Sequence, residues 1–407
     1  MKIAIFTETF VPKVDGIVTT LCQTIRQLER KGHEVLIVAP DGGEVLFQQS
    51  KILGMPGRAF FFYPELTLAL PHRSIRTELA KFQPDVIHVA DPALLGIAAL
   101  YYAGGRNGGA LGLPLVVSYH TDLPRYLHHY GLGFLEPMIW PLLRARHHRA
   151  TINLCTSQVV LSQLKDHGIA RTAFWPGGVD ADLHTPARRS DAMRLRLSGG
   201  RSGPLLLYAG RLSAEKGIER LKPILDGLPG ATLALVGDGP HRATLEAIFK
   251  GLPVVFLGFL HGEELASAFA SSDVFVMPSV TETLGLVVLE AMSAGLPVVG
   301  ARAGGIPDLI EHGVNGYLFD DEAGAIQAVN ELLTHPVATS AMRRNARETA
   351  LKHSWDAATE ILLGHYREAR VRIQGEVAPE ILPAERSKGT LRTLGDATTG
   401  LIKRLLS

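Results

Sequence analysis

The chain has 407 residues, 46% hydrophobic and 20% charged, a balance that excludes a disordered polymer and predicts a folded protein of two or three domains. Lys and Arg total 41 against 40 Asp and Glu, which argues against a general nucleic-acid binder. The two cysteines, Cys22 and Cys155, give no disulfide framework and no paired metal motif, and point to core thiols in a reducing compartment.

At the N-terminus, "MKIAIFTETF" has too short an apolar run for a signal peptide, and no stretch approaches the roughly 20 apolar residues of a membrane span. A soluble or membrane-peripheral protein in the cytoplasm is expected. Short β-branched runs then alternate with amphipathic segments. "KIAIF", "EVLIVAP", "DVIHVA", "PLVVSYH" and "TINLCTS" predict buried strands. Thr20 to Lys31, with Leu21, Ile25 and Leu28 in register, predicts a helix between the first two. The pattern restarts with "PLLLYAG", "ATLALVG", "PVVFLGF", "DVFVMPS" and "LPVVGAR". Near-continuous apolar strands separated by helices predict an α/β fold of two doubly wound parallel sheets. The polar stretch "HTPARRSDAMRLRLSGGRSGP" marks the boundary. The expected division is an N-terminal domain over residues 1–183, a second over 184–354, a helix over 355–375 that packs back on the first domain, and a tail over 376–407. Ligands of such sheets bind at the carboxyl ends of the strands, so two facing domains share a cleft.

The strand-to-helix turns carry the chemistry. After "KIAIF" comes "TETFVPKVDGIVTTL", which lacks G-x-G-x-x-G and so argues against a nicotinamide-dependent oxidoreductase. Gly16 in this turn is a tight turn or a point of close approach to a ligand. "VSYHTDLPRY" brings His120, Thr121, Asp122 and Arg125 to a strand end, as a structural cluster or part of a site. In "YAGRLSAEKG", Arg211 and Lys216 directly follow a buried strand. They are a solvated pair or a diphosphate clamp, the Arg supplying a fork of donors and the Lys a compact charge. "VGDGP" places Gly237 and Asp238 where a nucleotide could approach.

In "SVTETLGLVVLEAMSAGLPVV" the only ionisable groups are Glu282 and Glu290, eight positions apart. A helix beginning around Thr283, Leu284 and Gly285 offers unpaired amides and the positive end of its dipole to a phosphate. The two carboxylates then lie roughly 10 Å apart along the helix, the reach of a nucleotide sugar. Glu290 sits among apolar residues, where it either accepts from a ribose diol or pairs with a distant Arg. The "DAD" at Asp180 to Asp182 follows no strand and is a poor metal site, and no His/Cys set has zinc spacing. "PMIWPLLRARHHRA", with Trp140, Arg144, Arg146 and Arg149, is either a packing helix with a basic end or a face for anionic lipid.

"GRLSAEKG", "VGDGP" and the E-x7-E of the Glu282 segment together resemble the retaining glycosyltransferases of family 4, up to about residue 370. That resemblance implies the GT-B fold and transfer from a nucleotide-sugar donor with retention and without a metal. It implies Arg211 and Lys216 at the diphosphate, Glu290 at the ribose and Glu282 near the donor sugar. Gly16 and His120 would serve from the first domain. Asp15 departs from the pattern, since many members carry another glycine there. Within the family the wording is most similar to the sulfoquinovosyltransferases, which move sulfoquinovose from a UDP donor to diacylglycerol. Lipid-directed mannosyl- and glucosyltransferases share much of it. A sulfonate or acceptor would meet Lys13, His120, Asp122 or Arg125, with the enzyme peripheral on the inner face of the cell membrane. A GT-B epimerase and a non-catalytic nucleotide-sugar module are the competing readings.

Overall fold

The computed structural model describes residues 1–60, 63–103, 112–129, 131 and 133–374; the predicted tail over 376–407 lies outside the described residues. The first half runs β1 (Lys2–Thr7), α1 (Gly16–Arg30), β2 (Glu34–Pro40), β3 (Leu46–Phe47), β4 (Ser50–Met55), β5 (Gly57–Phe60), β6 (Tyr63–Ala69), α2 (Ser74–Phe82), β7 (Val86–Ala90) and α3 (Leu94–Ala103). It continues with β8 (Leu115–Tyr119), α4 (Leu123–His129), α5 (Glu136–His147), β9 (Ile152–Cys155), α6 (Gln158–Asp166) and β10 (Thr172–Phe174). The second half runs α7 (Asp191–Ser198), β11 (Leu205–Ala209), α8 (Leu221–Asp226), β12 (Thr232–Val236), α9 (Arg242–Ile248), β13 (Val254–Gly258), α10 (Gly262–Ser271) and β14 (Val274–Met277). Then come α11 (Leu286–Ser293), β15 (Val298–Ala301), β16 (Tyr317–Phe319), α12 (Glu322–Thr334), α13 (Pro336–Leu351) and a last helix, α14 (Trp355–Gln374).

Each half builds its own sheet. The first has the order β10-β9-β8-β7-β1-β2-β4-β3, parallel except where β3 turns back on β4. The second has the order β13-β12-β11-β14-β15-β16, with every pair parallel. Both central strands are wholly buried: Ile3 to Phe6 of β1 and Leu205 to Ala209 of β11 are at most 2% exposed. Burial on both faces is why these strands read as unbroken apolar runs. All ten strands expected from the sequence form. Four further strands of these sheets had no such run to mark them: β3, β10 and β16 are only two or three residues long, and β4 mixes buried and exposed positions.

Strand order reverses between β1 and β7 in the first sheet and between β11 and β14 in the second. Such switch points open a crevice at the strand ends. The turn after β1 holds Gly16, and the turns after β11 and β14 hold Lys216 and Glu282. The chain crosses between the halves twice, side by side: the Val179 amide donates to the His353 carbonyl at 2.8 Å. An added Cβ on Gly178 would strike Trp355, so the crossing strands lie in backbone contact. Beyond the second crossing, α14 lies against α1. Its Leu362, Leu363, Tyr366 and Ala369 join Ile3, Ile5, Leu21 and Ile25 in one core.

Candidate active site

The site assembles where the two sets of strand ends meet. On the second domain, Lys216 stands in a short turn after β11, and its Nζ donates to Glu282 Oε1 at 2.6 Å. The two side chains are 17% and 15% exposed. The Lys216 turn is held from beneath: Ser213 Oγ donates to Glu215 at 2.5 Å, and Thr281 Oγ1 donates to the Glu215 carbonyl at 3.1 Å. Arg211 leaves the end of β11 half-buried, its carbonyl accepting from the Tyr208 hydroxyl at 3.2 Å. Glu282 is fixed through its backbone, since Gly305 N donates to its carbonyl at 2.7 Å.

Thr283 joins the domains. Its hydroxyl donates to the His120 carbonyl at 2.8 Å, and its own carbonyl accepts from Thr156 Oγ1 at 3.0 Å. Leu284 lies against Gly177, where a Cβ would meet the leucine methyls. The Gln158 amide at the start of α6 donates across the boundary to Asp308 Oδ2 at 2.6 Å. The structure therefore brings His120 of the first domain to Thr283, one residue from Glu282.

The helix carrying Glu290 starts later than the sequence suggests. Gly285 is its cap, with φ of 71°, and α11 begins at Leu286, so Thr283 and Leu284 lie in the loop ahead of it. The left-handed backbone at Gly285 is open to glycine without steric cost. Glu290 is the fifth helical residue, 23% exposed, and among the described residues the ionisable group nearest its carboxylate is His184 Nε2 at 3.9 Å, not an arginine. Burial pushes the Glu290 carboxyl up to about 7 and the His184 imidazole down to about 4. Among the described residues, buried His184 Nδ1 has no hydrogen-bond partner. A carboxyl so placed gains from hydroxyl donors that a ligand would bring.

On the first domain, Gly16 opens α1, and a Cβ there would meet nothing within 4 Å. The space in front of it is open. Asp15 is explained by the helix: it is the N-cap, accepting from Val18 N at 2.9 Å and from Thr9 Oγ1 at 3.1 Å. Lys13 reaches the same carboxylate at 3.4 Å. Asp91, which no sequence motif marks, holds the next loop with φ of 54°. Its carboxylate accepts from the His120 amide at 2.7 Å and from Thr121 Oγ1 at 2.6 Å. Its position at the end of β7, beside the switch point, was the signal available.

Asp122 is 4% exposed and accepts from Tyr119, Gln163 and the Arg125 amide. Together with Arg125 it lines a polar cavity of about 670 Å³ between α4, α5 and α6, which also meets His128, Gln163 and His167. α4 in turn lies against the Lys216 turn.

Two expectations need correction. Trp140 does not face a membrane: it is 7% exposed, stacked on His167 at 3.6 Å, with its indole N–H on Glu136 at 3.1 Å. Arg146 is half-buried and donates to the Pro92 carbonyl at 2.9 Å. Only Arg144 and Arg149 of that set stay exposed, while Phe134 in the turn ahead of α5 and Met138 and Leu142 on α5 face outward, 73%, 58% and 37% exposed. The glycine of Gly237 is demanded by packing: φ is 128°, and a Cβ would run into the Gly210 carbonyl. Asp238 is engaged by Arg242 at 2.9 Å and by the Gly239 amide at 2.8 Å. Among the described residues no group of three or more His, Cys, Asp or Glu could hold a metal, and no helix is long and apolar enough to cross a membrane.

With two such sheets and a site at their facing ends, the fold is GT-B. Residues 14–183 match the family described as Glycosyltransferase Family 4, and residues 203–335 match Glycosyl transferases group 1. The chain is 40% identical over 371 residues to the sulfoquinovosyl transferase SQD2 of Arabidopsis thaliana, covering 88% of this chain and 72% of that one. It is 36% identical to a GDP-mannose-dependent alpha-mannosyltransferase of Mycolicibacterium smegmatis, over 90% of this chain and 97% of the other. In structure it is similar to the sucrose-phosphate synthase of Thermosynechococcus elongatus, with a TM-score of 0.73 at 20% identity over 90% of this chain and 98% of that one. The chain belongs to glycosyltransferase family 4 and is a glycosyltransferase.

Proposed function

We propose that the protein transfers sulfoquinovose from UDP-sulfoquinovose to diacylglycerol, with retention at the anomeric carbon. One observation carries the assignment of the site: Lys216, Glu282, Thr283 and His120 are joined by direct bonds from the second domain to the first, at the carboxyl ends of both sheets. The donor diphosphate lies against Arg211, Lys216 and the first amides of α11, and the ribose diol donates to Glu290. Glu282 meets the sugar, with Gly16 and His120 closing over it. Gly237 and Asp238 shape the floor from beneath. As the bond from the sugar C1 to the phosphate oxygen breaks, its electron pair passes to the diphosphate. The Arg/Lys pair stabilises that charge. The acceptor hydroxyl attacks C1 from the same face through an oxocarbenium-like state, and its proton passes to the leaving diphosphate. No step requires a metal.

The cavity beside α4 supplies Asp122 and Arg125 to an acceptor head group or sulfonate, and Lys13, held by Asp15 ahead of α1, is the further cation for it. The exposed Phe134, Met138 and Leu142, next to Arg144 and Arg149, form an apolar face with basic neighbours suited to anionic lipid. The enzyme accordingly works from the cytoplasm on the inner face of the cell membrane. The sulfoquinovosyl relative supports this donor; the mannosyltransferase, matched along nearly its whole length, supports GDP-mannose as the second reading.

The test is a panel of nucleotide sugars offered to the purified protein with anionic vesicles containing diacylglycerol. Transfer from UDP-sulfoquinovose alone, with the protein sedimenting on the vesicles and released by Phe134→Ser with Met138→Ser, is the expected result. Transfer from GDP-mannose and not from UDP-sulfoquinovose would replace the donor assignment. Sedimentation unchanged in the double variant would overturn the membrane face.

A further inference from the structure

Behind His120 runs a buried line of hydrogen bonds that the family chemistry does not use. His120 Nε2 lies 2.8 Å from Ser118 Oγ, which lies 2.9 Å from His88 Nε2; His88 Nδ1 lies 2.7 Å from the Tyr366 hydroxyl. Ser118 and Tyr366 have no exposure and His88 only 1%. Tyr366 belongs to α14, so the line starts on the helix that returns from the second domain. Trp175 walls it, edge-on to both imidazoles at 5.6 and 5.7 Å, and its indole N–H is tied to Ala358 of the same helix at 3.2 Å.

The proton positions follow from what each group can do. Among the described residues the Tyr366 hydroxyl has no partner besides His88, so accepting there would strand its own proton in the core. It therefore donates. His88 is neutral, burial holding it down to about 3, so with Nδ1 accepting its proton is on Nε2 and goes to Ser118. The Ser118 proton has two choices, the Val89 carbonyl at 3.4 Å or His120 Nε2 at 2.8 Å, and the shorter bond prevails. That leaves the His120 proton on Nδ1, the nitrogen with no partner among the described residues. The charged groups that act on this ring are Asp91 and Asp15, which favour its protonation, but burial outweighs them and lowers its pKa.

We propose that Tyr366, His88 and Ser118 are positioning residues that fix His120 as a neutral Nδ1–H donor toward an oxygen of the bound donor. His120 then binds and cannot act as a general base. This rests on the reading of His120 as a donor-facing group. It adds that the C-terminal helix sets the chemistry of the site through Tyr366, which lies 278 residues along the chain from its partner His88.

Two-bond 1H–15N spectra of the labelled wild-type enzyme decide the tautomers. The expected spectrum shows one neutral Nδ1–H form for His120 and one neutral Nε2–H form for His88, unchanged between about pH 6 and 8. An Nε2–H or titrating His120 would overturn the proposal without any variant. In kinetics, Tyr366→Phe and Ser118→Ala should each lower kcat about tenfold or more with little change in donor KM, as for a misplaced binding group. The Ser118→Ala spectrum should show mixed His120 tautomers. If His120→Ala abolishes turnover while both relay variants keep wild-type kcat, the relay is wrong and the His120 reading stands. If His120→Ala keeps wild-type turnover, the reading of His120 itself fails.

Discussion

Burial holds the Glu290 carboxyl up to about 7 while an unfolded chain would ionise it at its ordinary value of 4.5. Between those values the folded state binds more protons, so the stability contributed here is present at low pH and lost as pH rises toward 7. The full shift corresponds to about 3 kcal/mol at most, and the 23% exposure of the side chain reduces it. Glu290→Gln should therefore be more stable than wild type at about pH 8 and equal to it below the unfolded value, in denaturant titrations at the two pH values. The same variant should bind the nucleotide at least about tenfold more weakly in calorimetry, having lost a charged acceptor. A variant no more stable at high pH would refute the burial account. The residue was legible in the sequence because a carboxylate amid apolar neighbours demands a reason. Asp91 was not, because its role depends on two amides brought in from β8.

At the level of single elements, α1 shows how a departure from a motif can be read. Asp15 stands where a second glycine is common in the family, yet the helix it caps explains the carboxylate. Asp15→Ala should cost about 1 kcal/mol and Asp15→Gly only a few tenths, by thermal or chemical denaturation. Equal losses would mean that the loop contacts to Thr9 and Lys13 outweigh the cap. α5 marks the opposite case. Its sequence is apolar on two faces, and only the packing of Trp140 and Leu143 against Tyr119 and Val160 decides which face is inside. Hydropathy alone therefore left both a packing helix and a lipid face open for the tryptophan. The strands gave no such ambiguity, since a buried parallel strand is apolar on both faces.

Across the whole molecule, strand order determines where function sits. Both sheets reverse order beside the turns that carry Gly16, Asp91, Lys216 and Glu282, and the halves meet at Thr283 and His120. The motif spacing pointed to the second domain's turns, and the structure places Arg211, Lys216 and Glu282 just beyond β11 and β14. The first domain's side was less legible, because Asp91, Ser118 and His88 act through bonds between strands distant in sequence. In the proposed reaction a nucleotide-sugar diphosphate is held and relieved of its sugar at Lys216. The initial rate of sugar transfer in Lys216→Ala, set beside Lys222→Ala, an exposed lysine paired with Asp226 on α8, tests it most directly. Diphosphate binding at Lys216 predicts a fall of about 100-fold or more in kcat for Lys216→Ala, with Lys222→Ala within about twofold of wild type. Wild-type turnover in Lys216→Ala would contradict it.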